Sequence, residues 1–241
     1  MRNHVLSQAF FSLAFLLGGT IAAQAGSFAI SPVRATLSSK LSVVSLIVRN
    51  NGDEPAVIQT ELLNWAQQKG HDVFTPTREV LATPPIFTVP PGGSQLIRVG
   101  MRRTPDAHRE LNYRMFLQEL PSAPHPGFQG LQVALRLSIP VFIVPAMPVK
   151  PVLAWKALSS APGQIKLQAT NVGNAHIQIA NLKLSRRSGE ELTAGKIAEY
   201  VLPGESDEWT IKSSVETGEP LRLFAKTDGG DIESEIILEA P

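Results

Sequence analysis

Residues 131–145, LQVALRLSIPVFIVP, carry an apolar side chain at every odd position from Leu131 to Ile143: Leu131, Val133, Leu135, Leu137, Ile139, Val141 and Ile143. The even positions begin with Gln132, Ala134, Arg136 and Ser138. This is the period of a β-strand, one face apolar and the other mixed. It runs well past the about 5–6 residues of an average strand. A chain holding such a segment must build a sheet around it and find something apolar for one entire face. Two readings fit the pattern. It is a long central strand running into the next segment, or an edge strand whose apolar row is covered by another chain through strand addition.

The remaining sequence is also β-patterned. SVVSLIVRN (42–50) runs into the turn cluster Asn50-Asn51-Gly52-Asp53, and AVIQTELLNWAQ follows. PPGGSQLIRVGM (90–101) reads as a turn and a strand, and LNYRMFLQEL (111–120) as a strand closed by Pro121. Residues 121–130 are rich in proline and glycine and form a loop. VPAMPVKP (144–151) holds three prolines and reads as a stiff linker. Beyond it the alternation resumes in QIKLQATNVG, HIQIANLKLS, SDEWTIKS, PLRLFAKTDGG and IESEIILE. No window has the 3.6-residue period of a long amphipathic helix. The fold class is therefore all-β, with two β-sandwich domains over 26–146 and 147–241.

The N-terminus reads as a secretory signal peptide. Arg2 and His4 precede an apolar run from Ala9 to Leu17, and Ala23-Gln24-Ala25 matches a cleavage site. Residues 1–25 are expected to be removed after Ala25. The run is shorter than the roughly 18 residues a spanning helix needs, so no membrane insertion is expected. The chain has no cysteine, so its domains rest on packing without disulfides or thiolate metal sites. Residues 26–150 hold 12 basic and 8 acidic residues, and residues 151–241 hold 9 and 13. That asymmetry suits attraction between the halves, or an anionic partner for the first.

Enzyme and nucleic-acid readings find no support. His71, His108, His125 and His176 show no metal-ligand spacing and read as surface side chains. Nucleophile-elbow, P-loop and dinucleotide motifs are missing, and no cofactor or metal is expected. Arg102-Arg103 and Arg186-Arg187 are short basic pairs without interleaved aromatics, so no nucleic acid is expected as a partner. Two strand arginines remain: Arg34 in ISPVRATLSS and Arg114 in NYRMFLQEL. Each either faces solvent or lines a groove, where its guanidinium fork would suit a carboxylate.

Four segments in order carry a family resemblance: SPVRATL, ATPPIFTVPPGGSQLIRV, YRMFLQELP and LQVALRLSIPVFIVPA. Together they resemble the PapD-like periplasmic pilus-assembly chaperones of chaperone–usher systems, and Pro140 with NYRMFLQELP resembles the archaic Csu or spore-coat-U-type branch. The resemblance implies two immunoglobulin-like β-sandwich domains with a cleft between them. It implies a periplasmic protein that binds, folds and caps pilin subunits by donor-strand complementation and passes them to an outer-membrane usher. Leu131, Val133, Leu135, Leu137 and Ile139 would form the donor row, and the same edge would permit self-association of the free protein. Arg34 matches the family's first anchor for the subunit's C-terminal carboxylate. The second anchor in the family is a lysine where this chain has Pro140, which makes Arg114 the candidate replacement. Arg98, Glu110 and Asp228 match charged positions expected to form interdomain ion pairs. A cis bond is expected within Thr83-Pro84-Pro85. The alternative is a secreted two-domain β-sandwich with a structural or adhesive role.

Overall fold

A computed structural model describes residues 28–121, 133–213 and 215–240. The signal-peptide expectation, Leu131 and His125 fall outside these residues. Every regular element described is a strand, as the period-two patterning requires.

In the first domain β1 (Phe28–Ser31), β3 (Val43–Asn50), β8 (Ser94–Met101) and β6 (Val80–Thr83) form one sheet in the order β1-β3-β8-β6. The facing sheet runs β2 (Ala35–Leu37), β10 (Arg136–Ile143), β9 (Leu111–Leu120), β4 (Ala56–Gln68) and β5 (His71–Pro76), with β7 (Ile86–Val89) also on β4. Leu46, Val48, Ile97 and Val99 from one sheet meet Ile58, Met115, Leu117, Val141 and Ile143 from the other, all fully buried. Ser31-Pro32 and Thr83-Pro84 are both cis.

The second domain comprises β11 (Leu153–Ala161), β12 (Gln164–Asn171), β13 (Ile177–Arg186), β14 (Glu191–Val201), β15 (Ser206–Lys212), β16 (Pro220–Thr227) and β17 (Gly230–Glu239). Their order is β14-β13-β16-β17-β11-β12-β15. Among the described residues only Ala157–Leu238 and Leu158–Glu239 join β11 to β17, so the ribbon folds at that short parallel seam and closes on its own core. The two domains are both immunoglobulin-like sandwiches.

They also share a corner. Asn50 is buried and donates from Nδ2 to the carbonyls of Glu54 and Val89, while its Oδ1 accepts from Gly52 N–H. Asn171 does the same with Ala175, Val201 and Gly173. A short amide side chain can satisfy three backbone groups at a tight turn in this way. At Gly173 there is no room for a Cβ, because the backbone of Lys150–Val152 lies against it. The linker is thereby held: Lys150 N–H donates to Asn174 Oδ1 and Val152 N–H to Asn171 Oδ1.

Candidate functional site

Strand β10 has two different halves. Along its whole length it pairs antiparallel with β9, from Arg136–Gln118 to Ile143–Leu111. On its other side β2 pairs in parallel with Val141, Phe142 and Ile143 only. Among the described residues, 136–140 have no strand partner on that side. Pro140 suits such an edge, because proline has no N–H to give a ladder. The odd side chains face the domain's own core, and their burial falls along the strand. Val141 and Ile143 are fully buried, Leu135 and Leu137 half-buried at the core's rim, and Val133 is 42% exposed. Ile139, at 4% exposure, belongs to its own core. It is therefore occupied, and among the described residues the odd side chains left incompletely buried are Val133, Leu135 and Leu137.

The even side chains of β10 point the other way, and the second domain covers the end of that face. Phe142 stacks on His176 with ring centroids 3.5 Å apart and an interplanar angle of 4°. Trp65, Tyr200 and Leu202 complete a small apolar cluster around it. Strand β4 shows the same change. Its even positions Ala56, Ile58 and Thr60 are buried near the start, and its odd positions Trp65 and Gln67 near the end. Gln67 ties the domains by donating to the Tyr200 carbonyl at 2.7 Å and accepting from Leu202 N–H at 2.9 Å. Asn174 does so on the other flank, its side chain donating to the His108 carbonyl and its backbone carbonyl accepting from Glu110 N–H.

Both Arg34 and Arg114 lie in the cleft beside this seam. Arg34, just before β2, donates to Asp228 Oδ2 at 2.9 Å and has its guanidinium carbon 5.9 Å from the centre of the Phe142 ring. Arg114 stands directly across from Pro140 in the β9–β10 register. Its guanidinium lies 3.7 Å from the centre of the Trp65 ring and 5.2 Å from that of Tyr200. Its side chain is only 12% exposed, Asp72 is 4.0 Å away, and among the described residues its buried Nε has no hydrogen-bond partner. Burial disfavours the charge of Arg114, while Asp72 and Tyr200 favour it. A pocket of about 310 Å³ opens here, lined by Trp65, Asp72, Arg114, Glu199, Tyr200 and Asp207 among others. Burial, followed by the nearby charges of Glu199 and Asp72, raises the Asp207 carboxyl to about 6.

The model for pili and flagellar-assembly chaperones, PapD N-terminal domain, matches residues 27–148, about half of the sequence. This chain belongs to the PapD-like pilus-assembly chaperones. No curated protein sequence matches it. Solved structures agree in fold. A chain of the CsuC–CsuE chaperone–tip adhesion subunit complex from the archaic Csu pili of Acinetobacter baumannii is 22% identical with a TM-score of 0.67, matching over 88% of this chain and 99% of its own. The E. coli chaperone DraB is 21% identical with a TM-score of 0.60, over 90% and 98%. A chain of the Salmonella enterica SafA pilin–SafB chaperone complex is 17% identical with a TM-score of 0.62, over 90% and 99%.

Within this chaperone the expected interdomain ion pairs are rearranged. Arg98 does not reach the seam. It lies exposed on β8 between Ser45 and Thr83, on the outer face of the other sheet, and makes no ion pair among the described residues. Glu110, 3% exposed, instead accepts from His176 Nδ1 at 2.6 Å and from the His176 backbone N–H at 3.1 Å. Asp228 faces Arg34 and, at 3.7 Å, His176 Nε2. His176 is thus an interface side chain, 12% exposed, and the surface reading of it is corrected. Trp65, Gln67, Asp72 and Tyr200 were not legible as site residues. The available signal was Gln67, a polar residue in the phase of Trp65 near the end of a long strand.

Proposed function

We propose that this chaperone acts in the periplasm, captures pilin subunits by lending them the open half of β10, and passes them to an outer-membrane usher. One observation carries the reading. The unpaired edge at residues 136–140 ends beside two arginines set in a cleft. A strand laid along that edge gains backbone hydrogen bonds, while Val133, Leu135 and Leu137, continued by Leu131, offer an alternating apolar row. Each such side chain, fully buried, contributes roughly 1.5–3 kcal/mol, against the cost of immobilising two partners.

The subunit's terminal carboxylate would meet Arg34 and Arg114. Arg34 donates from one side and Arg114, one strand across from the residue that stands where the family has lysine, from the other. Stacking on Trp65 fixes the plane of Arg114 and leaves its edge available, as a guanidinium permits and an ammonium does not. The CsuC–CsuE structure is a complex of a chaperone with a tip adhesion subunit, and the SafA–SafB structure a complex of a chaperone with a pilin.

Co-expression with a cognate pilin tests the proposal. Leu135→Asp puts a charge into the apolar row, and Arg34→Ala removes one anchor. Each is expected to reduce recovery of soluble subunit at least tenfold, the effect of about 1.4 kcal/mol. Undiminished capture by both variants would overturn the reading.

A further inference from the structure

Behind Arg34 the side chains form a chain of contacts: Glu110, His176, Asp228, Arg34. Its geometry fixes the tautomer of the imidazole. A carboxylate can only accept, so His176 Nδ1, 2.6 Å from Glu110 Oε1, must carry a hydrogen. In the neutral ring Nε2 then bears a lone pair and faces Asp228 Oδ2 at 3.7 Å with nothing to donate. Asp228 is left with Arg34 as its cation, at 2.9 Å. A second proton on the ring would turn Nε2 into a donor aimed at Asp228. The ring is placed to make that difference felt. It is stacked flat on Phe142 and pinned by its own backbone N–H to Glu110.

We infer that His176 is a positioning residue for the carboxylate anchor, acting through Asp228, so that protonation of the imidazole strengthens the grip of Arg34 on an incoming carboxylate. The inference rests on the anchor role proposed above for Arg34. With His176 neutral, a partner's carboxylate approaches a guanidinium whose charge is already matched by Asp228. With His176 protonated, Asp228 has a second cation to face, and the cleft gains one positive charge close to Arg34. Histidine is the side chain whose charge changes between about pH 5 and 8. The groups facing the imidazole are Glu110 before β9, Asp228 at the β16–β17 turn, the aromatic ring of Tyr200 on β14 and, through Asp228, Arg34.

The test uses the mature protein and a synthetic strand peptide of alternating valine and threonine, acetylated at its start, with either a free or an amidated C-terminus. The readout is the ratio of the two affinities as pH is lowered. In the unaltered protein the ratio is expected to exceed one and to rise about three- to tenfold from about pH 7.5 to about pH 5.5, as one added charge at this range would give. His176→Gln keeps a donor for Glu110 and cannot titrate, so its ratio should stay flat while its melting temperature shows that it folds. A pH-independent ratio above one, or a rise that survives His176→Gln, overturns the inference. So does a rise abolished by Asp207→Asn instead, which would assign the effect to the Arg114 side. A ratio of one at every pH, in contrast, overturns the anchor reading itself.

Discussion

Arg114 is held more by aromatic faces than by its ion pair: the Trp65 ring centre is 3.7 Å away and the nearest carboxylate oxygen 4.0 Å. Its shape therefore counts as well as its charge. Arg114→Lys keeps the cation but loses the planar stack, and it should weaken binding of a free-carboxylate peptide about tenfold while leaving the amidated peptide unchanged. Trp65 fluorescence should shift in the same variant. Asp207 makes a separate prediction. Its carboxyl, ordinarily at 3.8, is raised to about 6, chiefly by burial. Between those values the native state holds a proton that the unfolded state has released. Stability contributed by this group therefore falls as pH rises from about 4 to about 6. Asp207→Asn should flatten that slope and raise the denaturant midpoint at pH 7, measured by urea titrations across the range.

At the level of strands, the two halves of β10 explain what was legible and what was not. The period-two row named a strand and its apolar face without a structure. The family resemblance extended the donor row to Ile139, whereas Ile139 is buried in its own core and Leu137 is half-buried. The sequence change that marks this point is SIPVFIV, where both phases become apolar because the second domain covers the other face. Gln67 and Trp65 were missed for the same reason, since a strand covered by another domain obeys two patterns in succession. The repeated corner was missed because Asn-Val-Gly and Asn-Asn-Gly read as ordinary turns, and only the structure places Asn50 and Asn171 among the same backbone partners. Asn171→Ala would leave the Ala175 and Val201 carbonyls and the Gly173 N–H without their side-chain partner. A loss of about 2–4 kcal/mol is expected, visible as a lowered melting temperature of the second domain.

Across the whole molecule, the domains meet through a small apolar cluster flanked by two amide clamps, Gln67 on one side and Asn174 on the other. Gln67→Ala removes both bonds of one clamp. It should widen the distribution of interdomain angles seen by small-angle scattering while each domain keeps its own melting transition. Anchor affinity should fall with it, because Tyr200 comes from one domain and Trp65 from the other. The position of β2 has a consequence of a different kind. It fills the last three rungs beside β10 and, among the described residues, leaves the earlier ones empty. The lane is a cul-de-sac. A guest strand travelling in the direction of β2 runs out of road at Arg34, and only a polypeptide that finishes there can park fully. Such a lane would read where a chain ends, almost regardless of what the chain spells.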